Sequence, residues 1–319
     1  MEFLLLLLLP LFALIGSGNG DDDDDGNGDG DGGGPSTEAS EQSDLLAGGS
    51  GDDTIDALGG NDLILGAGGD DILSGGTGVD AIAGEDGDDT INGGRSSDVL
   101  AGGAGQDSLD GGNGNDQLQG GAGDDDLFGG FGNDLMIGGG GVDRLDGGGG
   151  SDTLIGLDPS TNLPGETIVG PIAGQLRINL DAIDQGELPA SLLAALTRVT
   201  EDASGFEPGI NQNPDVLNGG AGNDAFVIDG GDVVTGGDGQ DTFSTFVYTG
   251  DDPVQITDYQ PAEPLIFHFD RDLDTVRIDI TDDPANTQTL IQVGGVTVLV
   301  LQNIAASQVN PDNITLLRF

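Results

Sequence analysis

From Gly48 to Ile155 the chain is one nonapeptide written twelve times, with no insertion or deletion. The first copy reads GGSGDDTID, and later ones read GGNGNDQLQ and GGAGDDDLF. Position six is aspartate in every copy: Asp53, Asp62, Asp71, Asp80, Asp89, Asp98, Asp107, Asp116, Asp125, Asp134, Asp143 and Asp152. Position eight is aliphatic throughout, from Ile55, Ile64 and Leu73 to Met136, Leu145 and Leu154. Position four is glycine in eleven copies, with Ser96 the exception. Such a period leaves room for one turn and one short strand per copy. The glycine-rich half supplies the left-handed, close-approach backbone of a tight turn. In the three residues after the aspartate, strand alternation points the single aliphatic side chain inward. Two copies make an 18-residue coil, and six coils stacked about 4.8 Å apart give roughly 29 Å of solenoid.

Stacking places residues 18 apart above one another. Asp53, Asp71, Asp89, Asp107, Asp125 and Asp143 form one column, and Asp62, Asp80, Asp98, Asp116, Asp134 and Asp152 the other. Carboxylates about 5 Å apart repel strongly unless a cation lies between them. The whole chain shares the problem, with 58 acidic residues against 7 basic ones and a net charge of −51. Only nine of the acids are glutamate, whereas a merely solubilising surface would use Glu freely. Aspartate beside glycine suits tight turns and short-armed oxygen ligands. Nucleic acid and anionic membranes are poor partners for a polyanion. Cysteine is absent, which rules out disulfides and thiolate metal sites. A metal here is held by oxygen, which points to calcium.

The pattern GGxGxDxUx resembles the calcium-binding nonapeptide repeats of the RTX, or hemolysin-type, family. The resemblance covers roughly residues 39–155 and 210–244, and it implies an all-β, right-handed parallel β-roll solenoid. It also implies a ligand set: the twelve aspartates, Asp224 and Asp241 of the later array, and carbonyls of the glycine turns. Those glycines are Gly51, Gly60, Gly69, Gly78, Gly87, Gly105, Gly114, Gly123, Gly132 and Gly141. Five gaps per column give about ten calcium ions in the main roll, enough to offset about 20 of the 51 negative charges. Turns carrying Ala57-Leu58, Gly84-Glu85 or Arg95-Ser96 depart from the pattern and are expected to bind weakly or not at all. The family further implies export of the unfolded chain by type I secretion machinery, an extracellular location, and calcium binding as a folding switch.

Around the array the chain divides into an apolar segment (1–15), an acidic Gly/Asp linker (16–38), the main roll (39–155), an insertion (156–209), a second short roll (210–244) and a β-rich end (245–319). The roll opens on a capping copy, ASEQSDLLA, from Ala39. The first segment is too short for a membrane span and lacks the basic flank and cleavage site of a secretory signal. Signal, anchor and neither stay open, and with them membrane contact and attachment to a surface or matrix. The insertion offers a strand from Gln175 and a helix from Pro189, apolar at helical spacing. After residue 245, segments beginning at Val254, Leu265, Thr275, Gln288, Val296 and Ile314 read as an antiparallel sheet capping the solenoid.

Catalytic signatures are missing. His268 is the single histidine, whereas an HExxH metalloprotease needs two, and no G-x-S-x-G elbow is present. The expected protein is a non-enzymatic calcium binder. The alternatives are an enzyme with its site in the insertion or the C-terminal sheet, and a calcium-dependent adhesin.

Overall fold

The computed structural model describes residues 39–156, 214–247, 252–269, 277–283 and 288–318. The segments 1–38 and 157–213, with the strand from Gln175 and the helix from Pro189, lie outside the described residues. So does Thr275. Before the insertion run β1 (Leu45–Ala47), β2 (Thr54–Asp56), β3 (Leu63–Gly68), β4 (Ile72–Thr77), β5 (Ala81–Asp86), β6 (Thr90–Arg95), β7 (Val99–Ala104), β8 (Ser108–Asn113), β9 (Gln117–Ala122), β10 (Asp126–Phe131), β11 (Leu135–Gly140), β12 (Arg144–Gly149) and β13 (Thr153–Ile155). After it come β14 (Val216–Asn218), β15 (Ala225–Ile228), β16 (Val233–Thr235), β17 (Thr242–Val247), β18 (Val254–Ile256) and β19 (Leu265–Phe269). The chain ends with β20 (Ile278–Asp283), β21 (Gln288–Val293), β22 (Val296–Gln302) and β23 (Ile314–Arg318). The described residues hold no α-helix, and the fold is all-β.

Odd-numbered strands β1 to β19 with β23 form an eleven-stranded sheet, and the even-numbered strands with β21 form a twelve-stranded one. Every pairing within the roll is parallel and offset by one coil, as in Leu45↔Leu63 and Leu127↔Leu145. The position-eight side chains of both sheets meet between them in one contiguous core, with Ile64, Ile82, Leu109, Leu127 and Leu145 fully buried. Burial of each such side chain stabilises by about 1.5–3 kcal/mol. Their regular spacing is why the solenoid grows by addition rather than by collapse.

The insertion does not break either sheet. β12 pairs with β14, Arg144 opposite Val216, and β13 pairs with β15, Thr153 opposite Ala225. Beyond it the core coarsens: Phe226 stacks on Phe243 at 5.2 Å between ring centroids, and Tyr259 tilts against Phe243 at 6.4 Å.

The antiparallel cap is smaller than the strand pattern suggested. Among the described residues only β20, β21 and β22 pair antiparallel, with a Gly294-Gly295 turn at positive φ joining β21 to β22. Segments from Val254, Leu265 and Ile314 extend the solenoid in parallel as β18, β19 and β23, and β22 also pairs in parallel with β18. The reason is the core: Ile256, Leu265, Phe267, Leu299 and Leu301 continue the buried stack. Parallel addition is what keeps them on it.

Candidate metal centre

Each position-six aspartate stands where a turn enters a strand, and its backbone hydrogen bond fixes its neighbour's side chain. Asp53 N–H donates to Asp71 Oδ1 at 2.8 Å, Asp71 to Asp89 at 2.8 Å, and Asp89 to Asp107 at 2.9 Å. In the second column Asp62 donates to Asp80 at 2.9 Å, Asp80 to Asp98 at 2.8 Å, and Asp98 to Asp116 at 2.8 Å. Each ladder crosses the insertion without a missing rung, Asp143 to Asp215 and Asp152 to Asp224, both at 2.8 Å. They then continue to Asp232 and Asp241. The structure thus brings together all fourteen predicted aspartates. It adds Asp215 and Asp232, and Asp44 joins below Asp62.

One carboxylate oxygen is therefore spent on positioning. The other, Oδ2, is buried without a hydrogen-bond partner in Asp62, Asp71, Asp80, Asp89, Asp98, Asp107, Asp116, Asp125, Asp134, Asp152, Asp224 and Asp241. Buried polar atoms in folded proteins are almost always paired, so twelve in register are a feature of the design. Except in the copy of Asp62, where position one is Ala57, each of these Oδ2 atoms sits against the position-one glycine of its own copy. A Cβ on Gly111 would lie 2.7 Å from Asp116 Oδ2 and 2.7 Å from the Gly129 carbonyl oxygen of the next coil. On Gly93 it would lie 2.7 Å from Asp98 Oδ2 and 2.9 Å from the Gly111 carbonyl. The same small space is thus lined by a carboxylate oxygen and a main-chain carbonyl from successive coils. Hard oxygen donors of both kinds suit a hard divalent cation.

The electrostatics agree. Burial drives the carboxyls up from 3.8, to about 9 for Asp98 and about 7 for Asp80, Asp107, Asp116 and Asp152. Asp71, Asp125, Asp134 and Asp224 rise to about 6 for the same first cause. The N–H rung opposes the rise in every case, and ladder neighbours add to it for most. The two ion pairs described, Arg144–Asp146 at 3.7 Å and Arg277–Asp279 at 2.8 Å, lie off the ladders.

A family model of the RTX calcium-binding nonapeptide repeat matches residues 38–73, 74–109, 101–136, 119–154, 212–231 and 229–245. The chain carries RTX calcium-binding nonapeptide repeats over residues 38–154 and 212–245. A comparison with curated proteins returned no match. The matched RTX copies are those that carry the ladders, on both sides of the insertion.

Position-four glycines of the RTX copies stack on one another, so that a Cβ on Gly69 (φ +105°) would lie 2.7 Å from the Gly51 carbonyl oxygen. Gly60, Gly78, Gly87, Gly105, Gly114, Gly123, Gly132 and Gly141 take the equivalent place in their coils. The carbonyls that share the Gly93 and Gly111 spaces with an orphaned Oδ2 are those of position-one glycines. Sequence reasoning passed over these, although position one is glycine in eleven of twelve copies. Where glycine is lost the RTX turn keeps its shape: Leu58, Glu85 and Ser96 all hold positive φ, a strain of about 1–2 kcal/mol each.

One RTX turn is built differently. Asp215 lies 17 residues before Asp232, one short of a coil, and Asp232 accepts from Asp215 N–H through Oδ1 and from Asp229 N–H through Oδ2, each at 3.0 Å. Ile228, fully buried, stands just ahead of Asp229 in the core. Beyond the matched RTX copies, Asp258 accepts from Gly236 and Gly237 N–H at 2.8 and 2.9 Å, and buried Glu263 accepts from Gln260 N–H at 2.7 Å. His268 Nε2 lies 2.7 Å from Ser244 Oγ, with its ring stacked on Phe246 at 4.4 Å.

Proposed function

We propose that this RTX protein is a secreted or surface-attached calcium-binding roll that folds as the ion binds and has no catalytic activity of its own. Twelve buried, unpartnered Oδ2 atoms in register carry the reading. Calcium would supply the positive charge and the coordination that these oxygens lack. The ligands we assign are Oδ2 of the ladder aspartates with carbonyls of the glycine turns, the carbonyls of Gly111 and Gly129 lining the same small spaces as Asp98 and Asp116 Oδ2. Each aspartate also holds the next coil through its N–H rung, so filling a gap and adding a coil are one event. Binding free energy then becomes folding free energy. Low cytosolic calcium would keep the chain unfolded for export by type I machinery, and high external calcium would fold it outside. No helix among the described residues is long and apolar enough to cross a membrane.

Absence of catalysis is supported by the use made of the acids and of His268. Ladder carboxylates are committed to rungs and gaps. The imidazole, which burial holds below its ordinary value, packs against Phe246 on a strand. A calcium titration followed by circular dichroism, with bound metal counted, tests the proposal. We expect β signal to appear cooperatively with about ten ions in the main roll. A compact solenoid that persists in excess EGTA would refute it.

A further inference from the structure

The two edges along which the turns of the roll stack differ in charge. Counting nonapeptides from Gly48, odd copies supply the Asp53–Asp143 column and even copies the Asp62–Asp152 column. The main roll holds 22 acids between Gly48 and Ile155. Twelve are the ladder aspartates, and the other ten all lie in odd copies. Even copies carry no further acid, and their single basic residue is Arg95.

A second hydrogen-bond ladder fixes the nearest of these acids. Position five, just before each ladder aspartate, accepts a main-chain N–H from the following coil, opposite in sense to the inner rungs. On the odd edge Asp70 N–H donates to Asp52 Oδ1 and Asp88 N–H to Asp70 Oδ1, both at 3.0 Å. Gln106 then donates to Asp88, and Val142 to Asp124, both at 2.8 Å. On the even edge Val79 N–H donates to Asn61 Oδ1 at 2.9 Å, Asn133 to Asn115 at 2.8 Å, and Ser151 to Asn133 at 2.7 Å. The outer ladders are alike in geometry and differ in charge. Asp52, Asp70, Asp88 and Asp124 are exposed, yet their field reaches the buried column. Beyond burial, Asp52 pushes the Asp71 carboxyl up, Asp70 and Asp88 that of Asp89, Asp88 that of Asp107, and Asp124 that of Asp125. Among acids off the ladders, only Asp110 acts in this way on the even column, at Asp116.

We propose that the odd column is the high-affinity calcium column and loads before the even one, because its turns carry this outer row of fixed acids. The inference rests on the calcium-binding reading above and adds an order of filling to it. A carboxylate one residue from a ligand attracts a divalent ion without displacing any ligand, and at that range water and salt leave a few-fold gain per charge. Charges on adjoining coils add, so the odd column should bind about tenfold more tightly. Arg95 works against binding on the even edge. Loading therefore starts along one edge of the solenoid.

Calorimetric titration of the full chain with calcium, beside equilibrium dialysis to count ions, separates the classes. The parent should show two classes of nearly equal size. Replacing Asp52, Asp70, Asp88 and Asp124 together by Asn keeps every outer rung acceptor. It should weaken the tighter class about tenfold, merging the two, with the ion count at saturation unchanged. The reverse set, Asn61→Asp, Asn115→Asp and Asn133→Asp, should tighten the looser class, and it decides the matter if the first variant does not fold. Asp252→Asn, Asp279→Asn, Asp282→Asn and Asp312→Asn, off the roll, remove the same net charge and should move neither class. A single class in the parent, classes unmoved by the two edge sets, or an equal shift from the control set would overturn the order of loading while leaving calcium binding intact. A chain that binds no calcium would overturn both, so the two failures are told apart.

Discussion

Acid should do for the ion-free roll part of what calcium does. In the folded state Asp98 titrates at about 9, four further ladder aspartates at about 7, and four at about 6, against an ordinary value of 3.8. A raised folded-state value means that the folded chain binds these protons more tightly than the unfolded chain. The associated stability is fully present below about pH 4 and is lost as pH rises through the folded values, chiefly between pH 4 and 7. Raising one carboxyl from 3.8 to about 7 corresponds to about 4 kcal/mol, and to about 6 to about 3 kcal/mol. With Asp98 adding about 7 kcal/mol, the nine groups total about 35 kcal/mol. Screening by water, which reaches the turn surface, reduces this. Even a quarter, about 9 kcal/mol, is comparable with the entire stability of a typical domain, about 5–15 kcal/mol. Calcium-free protein should therefore be expanded at pH 7.5 and regain β structure near pH 4. Circular dichroism and small-angle scattering on metal-stripped protein would follow it. A stripped roll equally β-rich at both pH values, or one that loses structure on acidification, would refute the linkage between burial and folding.

Other consequences are local. Replacing Asp89 and Asp107 together by Asn keeps a rung acceptor in each but removes two charges mid-column, so the calcium titration should shift to higher concentration and lose steepness. Gly111→Ala places a methyl between Asp116 Oδ2 and the Gly129 carbonyl. It should cost about 1–3 kcal/mol through overpacking, read as a lower Tm in calcium, together with fewer bound ions by metal analysis. His268→Ala should leave any hydrolytic screen unchanged while lowering Tm, because the ring is stacked on Phe246. An activity that disappears in that variant would favour the enzyme alternative.

The roll itself was legible because its two constraints recur every nine residues. An inward aliphatic residue and a turn aspartate leave a coil of one size, so registers such as Leu127↔Leu145 follow from counting. The rungs were not legible. Nothing in GGxGxDxUx says that Oδ1 accepts a main-chain N–H from the coil below, and without that bond the two oxygens of one carboxylate look equivalent. For the same reason the position-one glycines read as turn formers rather than as the walls of a cradle. At the end of the chain, alternation alone cannot distinguish parallel from antiparallel pairing. Turn residues separate the segments at Val254, Leu265 and Ile314, so on alternation alone they count as cap strands. Yet Phe267 and Leu301 needed the core that Phe243 had already opened, and parallel pairing supplied it.

Asp232 offers a sharper discrimination between a ladder that is structural and one that binds. Its two oxygens already accept from Asp215 and Asp229 N–H, with Ile228 buried in the core beside that turn. Asp125 has the same rung on Oδ1, from Asp107, but an unpartnered Oδ2. The substitution Asp→Asn is thus chemically identical at the two sites and different in consequence. At Asp125 the amide keeps the rung and forfeits a ligand, so the count of bound calcium should fall, while ion-free protein, relieved of one buried charge, should be no less structured than the parent. At Asp232 the amide nitrogen must face one of two N–H donors, leaving a buried donor unsatisfied at about 1–3 kcal/mol. Tm in saturating calcium should therefore drop with no change in ion count. Equal losses of calcium from both variants would show that the Asp232 turn binds after all, and that two backbone donors do not replace an ion.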